Sequence, residues 1–487
     1  SDTLGQYSTA VGYAALFSSN QTTAVNTYNV AVGYAAGEAV TTGVQNTLIG
    51  GLAGDALTDA DQNAAFGVSA LGSDTLGNRS TAIGTNALAD QNFTTATDTY
   101  NVAVGYNAGA ATTTGTQNAL IGGLAGDAIT TGGGNIALGY GTLTNDTKGS
   151  SAIAIGTLAL LSQNFTTAVA SYNVAIGEQT GRNITTGIRN TLIGGLAGDA
   201  ITDADNNVAV GTNALGTNQL GSANIAIGRL ALGTMNPATA ANTYNTAVGA
   251  DAGYAITTGV QNTIVGGLAG DAMTTGDSNT FIGYFAAGNG IVTGDTNTAV
   301  GVSAGLALTS GSNNLLLGKD AGRTGSPGGN LTTASNSIRL GDENIVECQI
   351  QVDWTIASDE RDKTDFAALD LGLDFVKALA PVTYKWDKRS KYGDKTADNY
   401  DLDAQTPDGT HKEDWLDIGF KAQEVEALEI AAGYNKSSKT NLVSSHTGDG
   451  KQMGLQYSKF VPILVKAIQE QNALIEALTA RIETLEG

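Results

Sequence analysis

The first two-thirds of the chain repeats one short alternation: a polar residue, usually Asn, then a variable residue, then two apolar residues, then Gly. Written out, the unit is N-x-A-V/I-G. Its 19 glycines run from Gly12, Gly33, Gly50, Gly67 and Gly84 to Gly301, Gly318 and Gly341. The gaps read 21, 17, 17, 17 and repeat to Gly283, then end 18, 17 and 23. GGLAGDA starts at Gly50, Gly122, Gly194 and Gly266, and Tyr-Asn at Tyr28, Tyr100, Tyr172 and Tyr244, each 72 residues apart. A fixed coil without helical periodicity predicts a parallel β-solenoid or β-roll of 17-residue coils in a 72-residue super-repeat. At about 4.8 Å per coil the shaft is roughly 90 Å long.

In a strand, neighbouring side chains point to opposite faces. The residue before each glycine (Val11, Val32, Leu317, Leu340) is expected to face inward. The residue two before it (Ala10, Ala31, Leu48, Ala65, Ala82, Ala103, Leu120) is expected to face outward, and it stays apolar until Arg339. Such an outer face must be covered by a second chain or by another wall of the same coil, and the small Ala favours a closely packed second chain. Asn29, Asn46, Asn63, Asn101 and Asn118 are expected to stack as an amide ladder. The four extra residues fall at 20–27, 92–99, 164–171 and 236–243, where sequences such as NFTTATDT are expected to loop out of the wall. Those loops are spacers, or a row of four displays for a receptor. Asp59, Asp61, Asp203 and Asp205 read as solvated turn carboxylates, since one such turn offers calcium too few ligands.

After Gly318 the pattern decays through the turn-rich GRTGSPGGN at 322–330. The expected domains are a shaft at 1–341, junction strands at 342–357 (Ile345, Val346, Ile350, Val352) and a small α+β domain at 358–487. Residues 364–380 carry helical periodicity stopped by Pro381, and Val382–Trp386 reads as a strand. Segment 457–486 is a heptad helix. Val461, Ile468, Ile475 and Ile482 take one core position, and Leu464, Gln471, Leu478 and Leu485 the other.

Composition narrows the class. There are 65 glycines without a collagen period, and 5 prolines. Net charge is -22: residues 1–357 hold 8 basic and 23 acidic groups, residues 358–487 hold 16 and 23. That balance disfavours nucleic acid and anionic membranes as partners. No apolar run is long enough to span a membrane. The lone Cys348 excludes an intrachain disulfide and is expected to be buried. His411 and His446 lack companions at metal spacing, so neither metal nor cofactor is expected. The chain begins inside a repeat and is expected to be the C-terminal portion of a longer protein.

The seam at Ala357-Ser358-Asp359-Glu360-Arg361-Asp362-Lys363 carries the candidate chemistry. A serine hydroxyl with a lysine base supports acyl chemistry only when the amine is desolvated enough to lose its proton. With VDWTIASDERDKTDF at 352–366, IGFKAQEV at 418–425 and YSKFVP at 457–462, the region resembles the S74 peptidase family. These are the self-cleaving intramolecular chaperones of phage tail fibres and tailspikes. The S-D-x-R-x-K signature is matched by Ser358, Asp359, Arg361 and Lys363; Phe366 stands where the family has an aliphatic residue. The resemblance implies that three chains assemble, that Ser358 attacks with Lys363 as base, and that Ala357–Ser358 is cut and the chaperone released. The repeat is similar to the heads of YadA-type trimeric adhesins and to phage fibre shafts, which implies a homotrimer of β-rolls. The expected protein is a virion tail fibre assembled in the host cytoplasm. It would meet a glycan-type host receptor and join other tail proteins through a preceding region. The alternatives are a bacterial trimeric adhesin, which should end in a membrane barrel rather than a heptad, and a glycan-degrading tailspike, which needs paired carboxylates.

Overall fold

The computed structural model describes residues 4–351, 354–394, 400–447 and 449–487. The chain divides into two compact units, Ser1–Ser303 and Ala304–Gly487.

The first unit is a parallel β-solenoid. Seventeen three-residue strands, from Thr9–Val11 to Thr298–Val300, each pair in parallel with the next coil's strand. Register is strict: Ala31 lies opposite Leu48, and Leu48 opposite Ala65. The amide ladder is present. The Asn46 amide N donates to Asn29 Oδ1 at 2.9 Å, and Asn46 Nδ2 donates to the Ala60 carbonyl at 2.7 Å. The strand-closing glycines form a column of bare backbone. Gly67 has φ +144°, and a Cβ there would lie 2.4 Å from the Gly84 carbonyl oxygen.

The strand faces are the reverse of the expectation. The middle residues, Ala31, Leu48, Ala65, Ala103 and Leu120, are the ones sealed inside. The residues flanking them face outward, and Ile83 and Ile121 are each 41% exposed. The reason is size. The coil is narrow, and its interior is shared between the strand and the following corner. Where the strand offers Leu48, the corner is Gly54, and a Cβ on Gly54 would touch the Leu48 side chain at 2.8 Å. Where the strand offers Ala65 or Ala82, the corner supplies buried Leu71 or Leu88. The flanking Val, Ile and Phe residues line the outer face instead. That outer face is still apolar, so the need for a cover moves from the alanines to Val32, Ile49, Phe66, Ile83 and their equivalents.

The insertions leave the wall only in part. Val25–Asn26, Thr97–Asp98, Val169–Ala170 and Ala241–Asn242 each form a parallel two-residue bridge to the coil before. The tips, such as Thr94, Thr95 and Ala96, stand exposed. Buried anchors (Phe93, Phe165) hold their bases. Beneath two of them, a buried Asp74 or Asp146 accepts hydrogen bonds from the Gln91 or Gln163 amide and from the Phe93 or Phe165 backbone. The turn aspartates also bond to the neighbouring coil, Asp59 and Asp203 while exposed to solvent. Asp61 accepts the Val44 N–H at 2.7 Å and Asp205 the Ile188 N–H at 2.8 Å. Asp203 accepts both the Thr185 and Thr186 hydroxyls, which hold its carboxyl below the usual range.

The second unit opens with two more parallel strands, Leu315–Leu317 and Ile338–Leu340. At the interior position of the last one stands Arg339. Its guanidinium lies over Gly328, where a side chain would collide with it. Ile345, Val346 and Ile350 form no strand, contrary to expectation, and Val352 lies outside the described residues. Cys348 is exposed rather than buried, in a stretch (344–351) whose residues are all exposed.

Among the described residues three α-helices follow: α1 (Leu373–Ala378), α2 (Ala422–Ala431) and α3 (Phe460–Glu486). The expected helix over 364–380 is confined to α1, and a 3₁₀ turn at Tyr457–Lys459 precedes α3. Val382–Tyr384 pairs antiparallel with Asp417–Gly419, and Ser444–His446 with Met453–Leu455. Leu371, Phe375, Val425, Val443, Phe460 and Ile463 make the core. Buried Glu429 ties α2 to the second hairpin, accepting the N–H groups of Leu442, Val443 and Ser444 and the Ser444 hydroxyl.

Candidate functional site

Residues 358–363 lie five apart in sequence at their ends, and a single 3₁₀ turn over Glu360–Asp362 folds them together. Asp359 caps that turn. Its carboxylate accepts the Arg361 N–H at 2.9 Å and pairs with the Arg361 guanidinium at 2.6 Å. Arg361 holds the Asp359 carboxyl below the usual range. The Lys363 N–H closes the turn on the Glu360 carbonyl at 3.1 Å. The result is that Lys363 Nζ donates to Ser358 Oγ at 2.6 Å and to the Ser358 carbonyl at 3.2 Å.

The sequence-predicted pair is therefore brought into contact, and Asp359 and Arg361 build the turn that does it. In this geometry a neutral Lys363 amine is placed to take the Ser358 hydroxyl proton. The pair is fully open to solvent, as is the backbone from Ile356 to Thr364. The single chain thus holds the two groups in reach without the desolvation that a lysine base requires.

The heptad positions sit on α3. Val461 is 61% exposed and Ile468 64%, and Leu464, Gln471, Ile475, Leu478, Ile482 and Leu485 are exposed as well. A different face of the same helix, Phe460, Ile463 and Ala467, is buried in the domain. The helix thus packs on its own domain with one stripe and leaves the heptad stripe unpartnered.

His446 Nε2 lies 2.6 Å from Glu426 Oε1, on α2. No group of three metal-ligating side chains occurs among the described residues. No helix there is long and apolar enough to cross a membrane. Sequence reading missed Glu429. Its only signal was a carboxylate four residues after Val425, on the buried side of a short helix.

Residues 358–434 match the S74 peptidase family, described as the chaperone of endosialidase. The match begins at Ser358. No curated protein matches the chain. A β-solenoid followed by a segment of this chaperone family fits a phage tail fibre or tailspike with a C-terminal chaperone.

Proposed function

We propose that the chain is a trimeric phage tail-fibre shaft that carries its own assembly chaperone and cuts it loose at Ala357–Ser358. The observation that carries the reading is the 2.6 Å contact of Lys363 Nζ with Ser358 Oγ at the first residue of the family match.

Once Lys363 is neutral, it accepts the Ser358 hydroxyl proton. Ser358 Oγ then attacks the Ala357 carbonyl carbon. A C–O bond forms, the C–N bond breaks, and the proton passes to the departing Ser358 amine. Water hydrolyses the ester, leaving a carboxylate on Ala357 and a free amine on Ser358. Assembly supplies the missing desolvation: the heptads of three α3 helices join, and neighbouring chains cover the dyad. The exposed Val, Ile and Phe rows of the solenoid then zip against each other. Repetitive strands slip in register easily, so a clamp that joins the C-termini first sets the alignment. Cutting afterwards removes the way back and makes stability kinetic. The four exposed insertion tips, recurring at the 72-residue interval, offer the host receptor a row of identical contacts on a virion-borne fibre.

The test is a denaturing gel with intact mass on wild type and Ser358→Ala. Fragments 1–357 and 358–487 in the first and one band in the second are expected. An uncut wild-type trimer overturns the reading.

A further inference from the structure

Among the described residues, the segment that carries the scissile bond makes none of the contacts that hold the chaperone to the end of the shaft. Between Glu347 and Ala357 the described residues are exposed and form no strand or helix. The contacts lie on either side of it. Asp449 Oδ2 accepts the Asn330 N–H at 3.1 Å, and the Asp449 carboxylate occupies the space where Gly329 would carry a Cβ, its oxygens 2.8 Å from that point. Lys388 Nζ donates to the Glu343 carbonyl at 2.8 Å. Ser390 sits on Gly325, with its Cβ 2.7 Å from where a side chain would begin. All the shaft-side partners belong to the turn-rich GRTGSPGGN stretch or to the strand end just after it.

The chaperone side is built rather than incidental. Thr447 Oγ1 and the Lys451 N–H both donate to Asp449 and hold its carboxylate in place. Arg389, next to Lys388, donates to the Lys451 carbonyl at 2.5 Å and pairs with Asp403 at 2.7 Å. Lys451 pairs with Asp401 at 2.6 Å. One braced polar network therefore presents both Lys388 and Asp449 to the shaft. Gly329 admits Asp449, and Gly325 admits Ser390, because neither glycine has a side chain.

We propose that Lys388 and Asp449 form a dock for the last coil of the shaft that outlives the cut, so that scission and release are separate events. The partner of this surface is the chain's own 325–343 segment, now on a different polypeptide. In a trimer three docks act together, which lengthens retention beyond what one offers. Release then needs a second event that weakens the polar contacts, such as high salt or acid. This rests on the proposed cut at Ala357–Ser358 for its biological role.

The test separates the two ideas. In full-length Ser358→Ala, a recognition site for a sequence-specific protease is placed after Ile356, and the chain is cut by that protease. Gel filtration at about 0.15 M salt, near one Debye length of 8 Å, follows the two fragments. They are expected to elute together, and the Lys388→Ala, Asp449→Ala double variant is expected to retain at least tenfold less. Should the double variant fail to fold, Gly329→Ala disrupts the dock from the shaft side and leaves the chaperone fragment untouched. Fragments of the parent that separate as soon as they are cut overturn the proposal, and so does undiminished retention in the variants. Wild type run alongside reports self-cleavage independently.

Discussion

The amide of Asn118 donates to the side-chain oxygen of Asn101 one coil away, at 3.0 Å. The Asn118 side chain in turn accepts the Asn135 N–H at 3.0 Å and donates to the Gly132 carbonyl at 3.0 Å. These groups are buried, so each lost partner strands a polar atom without water. Asn118→Ala is expected to destabilise the solenoid by about 2–4 kcal/mol, from an unpaired donor and an unpaired acceptor. Denaturant unfolding of the shaft checks it. The exposed neighbour Gln117, replaced by Ala, is expected to cost far less.

Gly67→Ala adds a methyl 2.4 Å from the Gly84 carbonyl oxygen, in a backbone conformation that only glycine adopts freely. The coil must open locally. A loss of at least about 2–3 kcal/mol is expected, with lower Tm and soluble yield. Gly51, whose added Cβ meets nothing within 4 Å, is the control and is expected to tolerate Ala.

The outer face is the predicted contact between chains. Ile225 and Ile227 are each 39% exposed on one strand, and neither fills the coil interior. Ile225→Asp with Ile227→Asp is expected to leave the monomer fold intact by circular dichroism and to abolish the trimer in sedimentation. A variant that still trimerises would move the interface elsewhere.

Cleavage is expected to follow assembly. Ile468→Asp with Ile475→Asp places charges on the exposed heptad stripe, away from Phe460, Ile463 and Ala467, which hold α3 to its domain. The cut is expected to slow at least tenfold and to become concentration-dependent. Lys363→Met is expected to abolish it at any concentration. A monomer that cuts at full rate contradicts the dependence.

Burial pushes the Glu429 carboxyl up, but the Ser444 hydroxyl and three backbone N–H groups outweigh burial and hold it below the usual range. A depressed carboxylate stabilises the fold above its unfolded value of about 4.3 and loses that contribution as pH falls through the folded value. The chaperone is therefore expected to lose stability on acidification, as pH falls through the folded value of Glu429. Glu429→Gln is expected to flatten that slope and to cost about 2–3 kcal/mol at neutral pH, since an amide cannot accept all four donors. Melting temperature against pH reads both.

Much of this was legible in the chain. The spacing of Gly50, Gly67 and Gly84 dictates coil length, and Asn29, Asn46 and Asn63 dictate register, because both act through the backbone of the next coil. Ser358 and Lys363 were legible for a similar reason: one short turn brings them together without help from afar. The orientation of Ala65 and Phe66 was not. Alternation shows that two residues face opposite ways, and which way is inside depends on Leu71 at the next corner. The extent of α1 was hidden because Leu369 and Phe366 have helical spacing but pack, or fail to pack, according to distant α3. Asp449 and Lys388 had no signal at all, since their partners at the end of the shaft are backbone groups.

Arg339 occupies the place that Ala, Leu, Ile or Phe holds in the coils before it, and burial lowers the proton affinity of its guanidinium. A further coil stacked on it would have to bury that cation more deeply against an apolar column, a cost of several kcal/mol that the charge of Asp449 offsets only in part. The repeat therefore carries its own stop. However many coils precede it, and however alike they are, growth can end at only one address, and every coil can be counted back from there.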